Sequence, residues 1–193
     1  MPLFLRFCNG YNVDSRNVED LNMSSDAEMM VVEKFYTAFS NKDHTTMANC
    51  YHADATFQDE AFSLKGREIG AMWHMLCERG KDMTLTFSVV EGNGQVTAHW
   101  EPIYSFSQTG NKVHNIIDAT FEFKDGLIYR HHDKFDFWHW SKQALGLPGA
   151  LLGWTSFLQN KVKKGAMDGL QQFMANHTDY HKQNETLRQH KGV

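Results

Sequence analysis

Three polar residues of this chain fall where strand alternation would turn them toward an apolar interior: Asp59, His131 and Asp133. In Tyr129–Phe137 one set of alternate positions reads Tyr129, His131, Asp133, Phe135 and Phe137, so the imidazole and the carboxyl share a face about 6.6 Å apart along the strand. Asp59 follows Ala55 and Phe57 in the same phase of an earlier strand. Burial makes a carboxylate harder to ionise and a neighbouring imidazolium reverses that, so such a trio is able to supply a general base near neutral pH. The structural alternative is a strand-end aspartate solvated at a turn and an H-x-D pair that fixes register in a core. His131 and His132 are adjacent on a strand and face opposite ways, which argues against joint metal ligation. No Gly-rich phosphate loop, nucleophile elbow or dinucleotide fingerprint occurs, so no cofactor and no metal are expected.

The elements that must hold these residues are legible from periodicity. Ser25-Asp26-Ala27-Glu28 has the form of a capping box, and Val31, Val32, Phe35, Tyr36 and Phe39 follow at helical spacing. Asp43 is placed to cap a second short helix from Met47 to Tyr51, and Gly66 precedes a third carrying Ile69, Met72, Trp73 and Leu76. Alternating runs at 83–91, 95–107, 112–124 and 127–138 are punctuated by Gly92-Asn93-Gly94, Thr109-Gly110-Asn111 and Lys124-Asp125-Gly126, which is hairpin chemistry. The plan is α+β, with three N-terminal helices on one face of a curved antiparallel sheet. Beyond Trp140, Phe157, Leu158, Val162, Ala166, Leu170 and Phe173 predict an amphipathic C-terminal helix, followed by a polar tail. The expected divisions are a loose arm over 1–24, an α+β domain over 25–140, a helical extension over 141–176 and a mobile tail over 177–193, with the start at Met1 or Met23 open.

At 193 residues the chain is one domain in size, and 41% hydrophobic residues suffice for a core. A net charge of -4, with no basic run longer than the lysines at 161, 163 and 164, makes nucleic acid an improbable partner. Cys8, Cys50 and Cys77 fit neither a disulfide framework nor a zinc ribbon, so a reducing, cytoplasmic compartment is expected; Cys50 and Cys77 read as small core hydrophobes. No apolar run approaches the roughly 18 residues of a membrane span. Trp154 beside Lys161–Lys164 is read as a solvated face rather than a membrane contact. Aromatic residues reach 13%, enough to wall a pocket with rings.

Several strings in order resemble the nuclear transport factor 2-like superfamily, in particular its SnoaL-like branch of polyketide cyclases and ketosteroid isomerases. They are Val31-Val32-Glu33-Lys34-Phe35-Tyr36, Tyr51–Asp59, Leu64–Ile69, Phe121–Ile128 and Arg130-His131-His132-Asp133, within residues 25–140. The resemblance implies a cone-shaped α+β barrel around a hydrophobic pocket, commonly a homodimer packed through its sheet. It places Asp59 at the isomerases' proton-abstracting aspartate and Asp133 near the cyclases' base. Two isomerase positions depart: the oxyanion tyrosine aligns with Phe35, with Tyr36 one place off, and the partner acid aligns with Ala119 while Asp118 is out of phase. No arginine lies in phase for the Asp-Arg-Asp arrangement of the limonene epoxide hydrolases, whereas His131, Asp133 and Tyr36 could imitate scytalone dehydratase.

The resulting expectation is an acid–base isomerase, cyclase or dehydratase acting on a small apolar carbonyl or hydroxy compound. Asp59 or Asp133 would be the base, with His131 orienting or protonating. Tyr36, Trp73, Trp100, Tyr104, Asn115, Phe121 and Phe137 would contact substrate. The competing expectation is a non-catalytic ligand-binding or dimeric assembly module, and the longer C-terminal part would be a lid or a dimer arm.

Overall fold

A computed structural model describes residues 15–180, with side chains from Ser25 onward. Of the arm expected over 1–24 and the tail expected over 177–193, residues 1–14 and 181–193 lie outside the described residues.

The first helix, α1, spans Ser15–Ser40, so Ser25 lies inside it and Ser25–Glu28 does not start it. Val32, Phe35, Tyr36 and Phe39 form its buried stripe. Asp43 accepts a hydrogen bond from the Thr46 amide and caps α2 (His44–Asn49) as expected. Strand β1 (Tyr51–Gln58) follows directly, then β2 (Ser63–Lys65), α3 (Arg67–Arg79), β3 (Thr84–Gly92), β4 (Gln95–Ser105), β5 (Lys112–His114), β6 (Ile117–Lys124) and β7 (Leu127–Phe135). The chain closes with α4 (Phe137–Leu145), α5 (Leu147–Leu152) and α6 (Ser156–Asn176).

The sheet runs β2-β1-β7-β6-β4-β3, with β5 paired to β4. It is mixed rather than wholly antiparallel, because β1 pairs with β7 in parallel. Asn93-Gly94 and Asp125-Gly126 adopt left-handed φ values of 57°, 76°, 53° and 73°, the conformation demanded by two tight hairpins. The 112–124 run is one line of chain with a gap. Asn115 donates its amide to the Pro102 carbonyl, but Pro102 has no N–H to return, and the ladder breaks there into β5 and β6.

Two expectations about the last strand are corrected. It ends at Phe135, because the Asp136 carboxylate accepts the His139 amide and starts a helix, so Phe137 is helical. A bulge opposite Glu122 and Phe123 also takes Tyr129 off the inner face: Ile128 is buried instead, and Tyr129 is half-buried beneath Lys124 and Arg130.

The core fills the space between the inner face of the sheet and α1–α3, with α6 packed on α3 through Leu170, Phe173 and Met174. That second layer explains why α3 buries Ile69, Ala71, Met72, Trp73, His74, Met75 and Cys77 instead of a single stripe. The C-terminal part thus adds a layer on α3, and His177 and Tyr180, assigned by sequence to a mobile tail, make defined contacts there. A smaller cluster holds Val113, Phe137, Trp140 and Ala144.

Candidate functional site

The inner face of the sheet brings His131 and Asp133 together as alternation predicts. In β7, His131 stands opposite Phe57 of β1 on one side and Phe121 of β6 on the other, and Asp133 stands opposite Ala119. Both are 2% exposed. Their burial is matched by hydrogen bonds in one continuous line. Trp73 donates its Nε1 hydrogen to Tyr51 Oη at 3.1 Å, and Tyr51 Oη lies 2.6 Å from His131 Nδ1. His131 Nε2 lies 2.9 Å from Asp133 Oδ1, which also accepts from Trp100 Nε1 at 3.3 Å.

One consistent direction runs through this chain. Indole nitrogens only donate, so the Tyr51 oxygen accepts from Trp73 and its own hydrogen is free for His131 Nδ1. The network therefore assigns the ring proton to Nε2, pointing at the Asp133 carboxylate. Both imidazole nitrogens are thereby occupied, which makes His131 a positioning group in this arrangement. Rings enclose it: Phe35, Phe57 and Phe121 at centroid distances of 5.7, 5.0 and 4.5 Å, with Trp73 stacked at 6.1 Å.

Asp59 lies just past β1, half-buried in the turn toward β2. Its Oδ1 accepts the amides of Ala61 at 2.7 Å and Phe62 at 2.5 Å. Both bonds use one oxygen, which leaves Oδ2 as the atom able to exchange a proton with a ligand. Burial pushes the carboxyl up to about 7; the two amide bonds work against that, and the Asp133 charge adds to it.

Tyr36 of α1 lies fully inside the core, stacked on Phe87 at 5.3 Å and tilted against Trp100 at 5.7 Å. Among the described residues its hydroxyl is the one buried side-chain polar atom with no hydrogen-bond partner. Burial first, then the charge of Asp133, raises the phenol well above its ordinary value, so it keeps its proton and remains a donor. An unpaired buried hydroxyl costs roughly 1–3 kcal/mol and asks for an explanation.

Of the other expected contacts, Trp73, Trp100 and Phe121 surround the dyad. Phe137 does not: it packs on Trp140 at 5.5 Å in the smaller cluster, a consequence of the strand ending early. Tyr104 accepts the Trp140 indole hydrogen at 2.9 Å and faces the same cluster; burial raises its phenol, the Trp140 bond works against that, and the Asp59 charge adds to it. Asn115 is buried at the β5–β6 gap opposite Pro102. Tyr51, the central link of the network, was missed by the sequence reading, which put it at the end of a helix.

The outer face of the sheet is a different environment. Asp118 binds His99 at 2.8 Å and His114 binds Glu101 at 2.6 Å, and both Asp118 and His114 are exposed. Arg130 pairs outward with Glu122, so no Asp-Arg-Asp triad forms through it. A depression opens here that is lined by the outward residues Thr56, Gln58, Thr120, Glu122, Arg130 and His132, and also by Gln95 and by Phe121 and His131 of the buried site.

The fold has relatives among solved structures. A protein of Xanthomonas campestris pv. campestris proposed to be a polyketide cyclase superposes with a TM-score of 0.55 at 17% identity, over 63% of this chain and 98% of that one. An epoxide hydrolase of Mycobacterium tuberculosis resembling limonene epoxide hydrolase gives 0.50 at 20%, over 66% and 96%. A Catenulispora acidiphila protein with a ketosteroid isomerase-like fold, in complex with trimethylamine, gives 0.54 at 16%, over 62% and 95%. At these identities the likeness is one of fold. Comparison with curated proteins finds none that matches. Residues 32–131, just over half of the chain, match the SnoaL-like domain, and together with the mixed sheet and helices described above this makes the chain a member of the SnoaL-like family within the nuclear transport factor 2-like superfamily.

Proposed function

We propose that this chain is an acid–base enzyme of the isomerase, cyclase or dehydratase type, acting on a small, largely apolar carbonyl or hydroxy compound. The observation that carries the reading is a pair of groups suited to opposite tasks, both raised first by burial and further by the Asp133 charge: the Asp59 carboxyl held near neutrality and the unpartnered Tyr36 hydroxyl. Asp59 Oδ2 would take a proton from carbon beside the carbonyl, and Tyr36 would donate a hydrogen bond to the oxygen that gains charge. His131, held by Tyr51, would orient Asp133, and Trp73, Trp100 and Phe121 would exclude water. General base action contributes about 10²- to 10⁴-fold and one oxyanion donor about 10²- to 10³-fold, so positioning supplies the rest.

The test begins with thermal shifts against apolar ketones, phenols and lactones, where a ligand at about 100 times its Kd stabilises by about 2.7 kcal/mol. On the substrate so identified, Asp59→Asn should lower turnover about 10²- to 10⁴-fold with the fold intact. Full activity in both Asp59→Asn and Asp133→Asn overturns the assignment.

The second reading is a non-catalytic ligand-binding or assembly module. What favours it is the near-complete burial of His131 and Asp133 with their bonds already made, as in a structural pair. Under either reading we propose a homodimer through the sheet, supported by Val90, Ile103 and Ile116, which stand exposed on its outer face. A cytoplasmic setting is likewise part of the proposal; no described helix is long and apolar enough to cross a membrane.

A further inference from the structure

On the side of α3 away from the acid–base site, two histidines and a glutamate converge. His74 and Glu78 are one turn apart on α3, and His177 is the first residue after α6. His74 Nε2 lies 3.2 Å and His177 Nε2 3.4 Å from the same Glu78 Oε1, and the three ligand atoms all lie within 4.8 Å of one another.

The outer hydrogen bonds decide what these atoms can do. His177 Nδ1 lies 2.8 Å from the Phe173 carbonyl, which can only accept, so the ring proton is on Nδ1. Nε2 then meets the carboxylate oxygen either through a second ring proton, as an ion pair, or through a cation that both atoms bind. His74 Nδ1 lies 3.0 Å from the Tyr180 hydroxyl, which can accept from it or donate to it and so anchors the ring in either tautomer. Both rings are also clamped by stacking, His177 on Phe173 at 3.8 Å and His74 on His44 at 3.6 Å. Two imidazoles with Nε2 converging, each fixed through Nδ1, form the ligand and outer-partner pattern of a metal site.

We propose that His74, Glu78 and His177 bind a divalent transition ion of the zinc type, with water in a fourth position. A tetrahedral zinc with ligands at about 2.0–2.1 Å sets neighbouring ligand atoms roughly 3.4 Å apart, which matches the two contacts to Glu78. Imidazole nitrogen suits zinc, copper and nickel better than magnesium or calcium. Glu78 is half exposed, which gives the ion a route in and the water a place. His74 and Glu78 lie within the family domain and His177 beyond it, so the ion would staple the C-terminal helix to the core. The site is independent of the acid–base reading.

The test uses the full chain without a histidine tag, stripped with EDTA and titrated with zinc chloride against a chromophoric chelator. One ion should bind per chain with a Kd of micromolar or below. His177→Ala and Glu78→Gln should each weaken binding at least about 100-fold, the upper end of what loss of an outer partner costs. His114→Ala, on the separate His99–Glu101–His114 cluster of the sheet, should bind as wild type does. Amide exchange over residues 156–177 should slow with zinc in wild type and not in His177→Ala. Absence of stoichiometric binding, or binding that persists in both ligand variants, overturns the site.

Discussion

Tyr51 and Tyr36 are both buried tyrosines within the influence of Asp133, and their hydroxyls have opposite standing. Tyr51 Oη takes the Trp73 indole hydrogen and reaches His131 Nδ1, whereas Tyr36 Oη has no partner. Tyr51→Phe would leave two buried groups unpaired and should cost about 1–3 kcal/mol in denaturant unfolding. Tyr36→Phe removes an unsatisfied group, so it should leave stability unchanged or higher while weakening ligand binding and turnover. A loss of stability in Tyr36→Phe equal to that in Tyr51→Phe would contradict this division of roles. The inward placement of His131 and Asp133 was legible in the sequence because two-residue alternation decides which way they face, whereas Asp59 lies beyond β1 and takes its direction from the turn amides of Ala61 and Phe62. Tyr51 was not, because the α2–β1 junction has no intervening loop and the helical pattern ran into the strand. Phe137 continued the alternation of Phe135 and so read as strand, when the cap supplied by Asp136 was the local signal that mattered.

At the scale of elements, the close packing of α4 and α5 depends on two residues without side chains. A Cβ on Gly149 would run into the Ser141 carbonyl, and one on Gly153 into the Ser141 hydroxyl. Because the first clash is with backbone, Gly149→Ala should cost about 1–3 kcal/mol, read as a lowered Tm, with the Trp140 cluster most perturbed. A neutral effect would mean that α5 is free to move away from α4. The order of elements and the hairpins were readable from Asn93-Gly94 and Asp125-Gly126, whose turn chemistry is local. The parallel β1–β7 pairing was not, since it joins residues more than seventy positions apart and leaves no mark on either strand. Pro102, by contrast, was visible in the sequence, and its missing N–H is enough to split the 112–124 run.

For the whole molecule, the Asp59 carboxyl ties stability to pH. Its folded pKa of about 7 stands above the ordinary 3.8, so the folded state holds the proton more tightly than the unfolded chain. The stability this contributes is fully present below about 3.8 and is lost as pH rises through about 7. Asp59→Asn keeps an oxygen for the Ala61 and Phe62 amides and removes the charge. Relative to wild type it should gain stability across that window, by up to about 4 kcal/mol, and level off above it. Urea unfolding of both proteins at several pH values checks the sign, and a difference that does not grow with pH contradicts it.

The most direct test of the acid–base account is the titration of the Asp59 side chain itself, followed by carbon-13 NMR of the carboxyl in wild type and in Asp133→Asn. The account predicts a midpoint near 7 that falls when the Asp133 charge is removed. A midpoint in the ordinary range near 3.8, unmoved in Asp133→Asn, would make Asp59 a turn cap with no part in proton transfer.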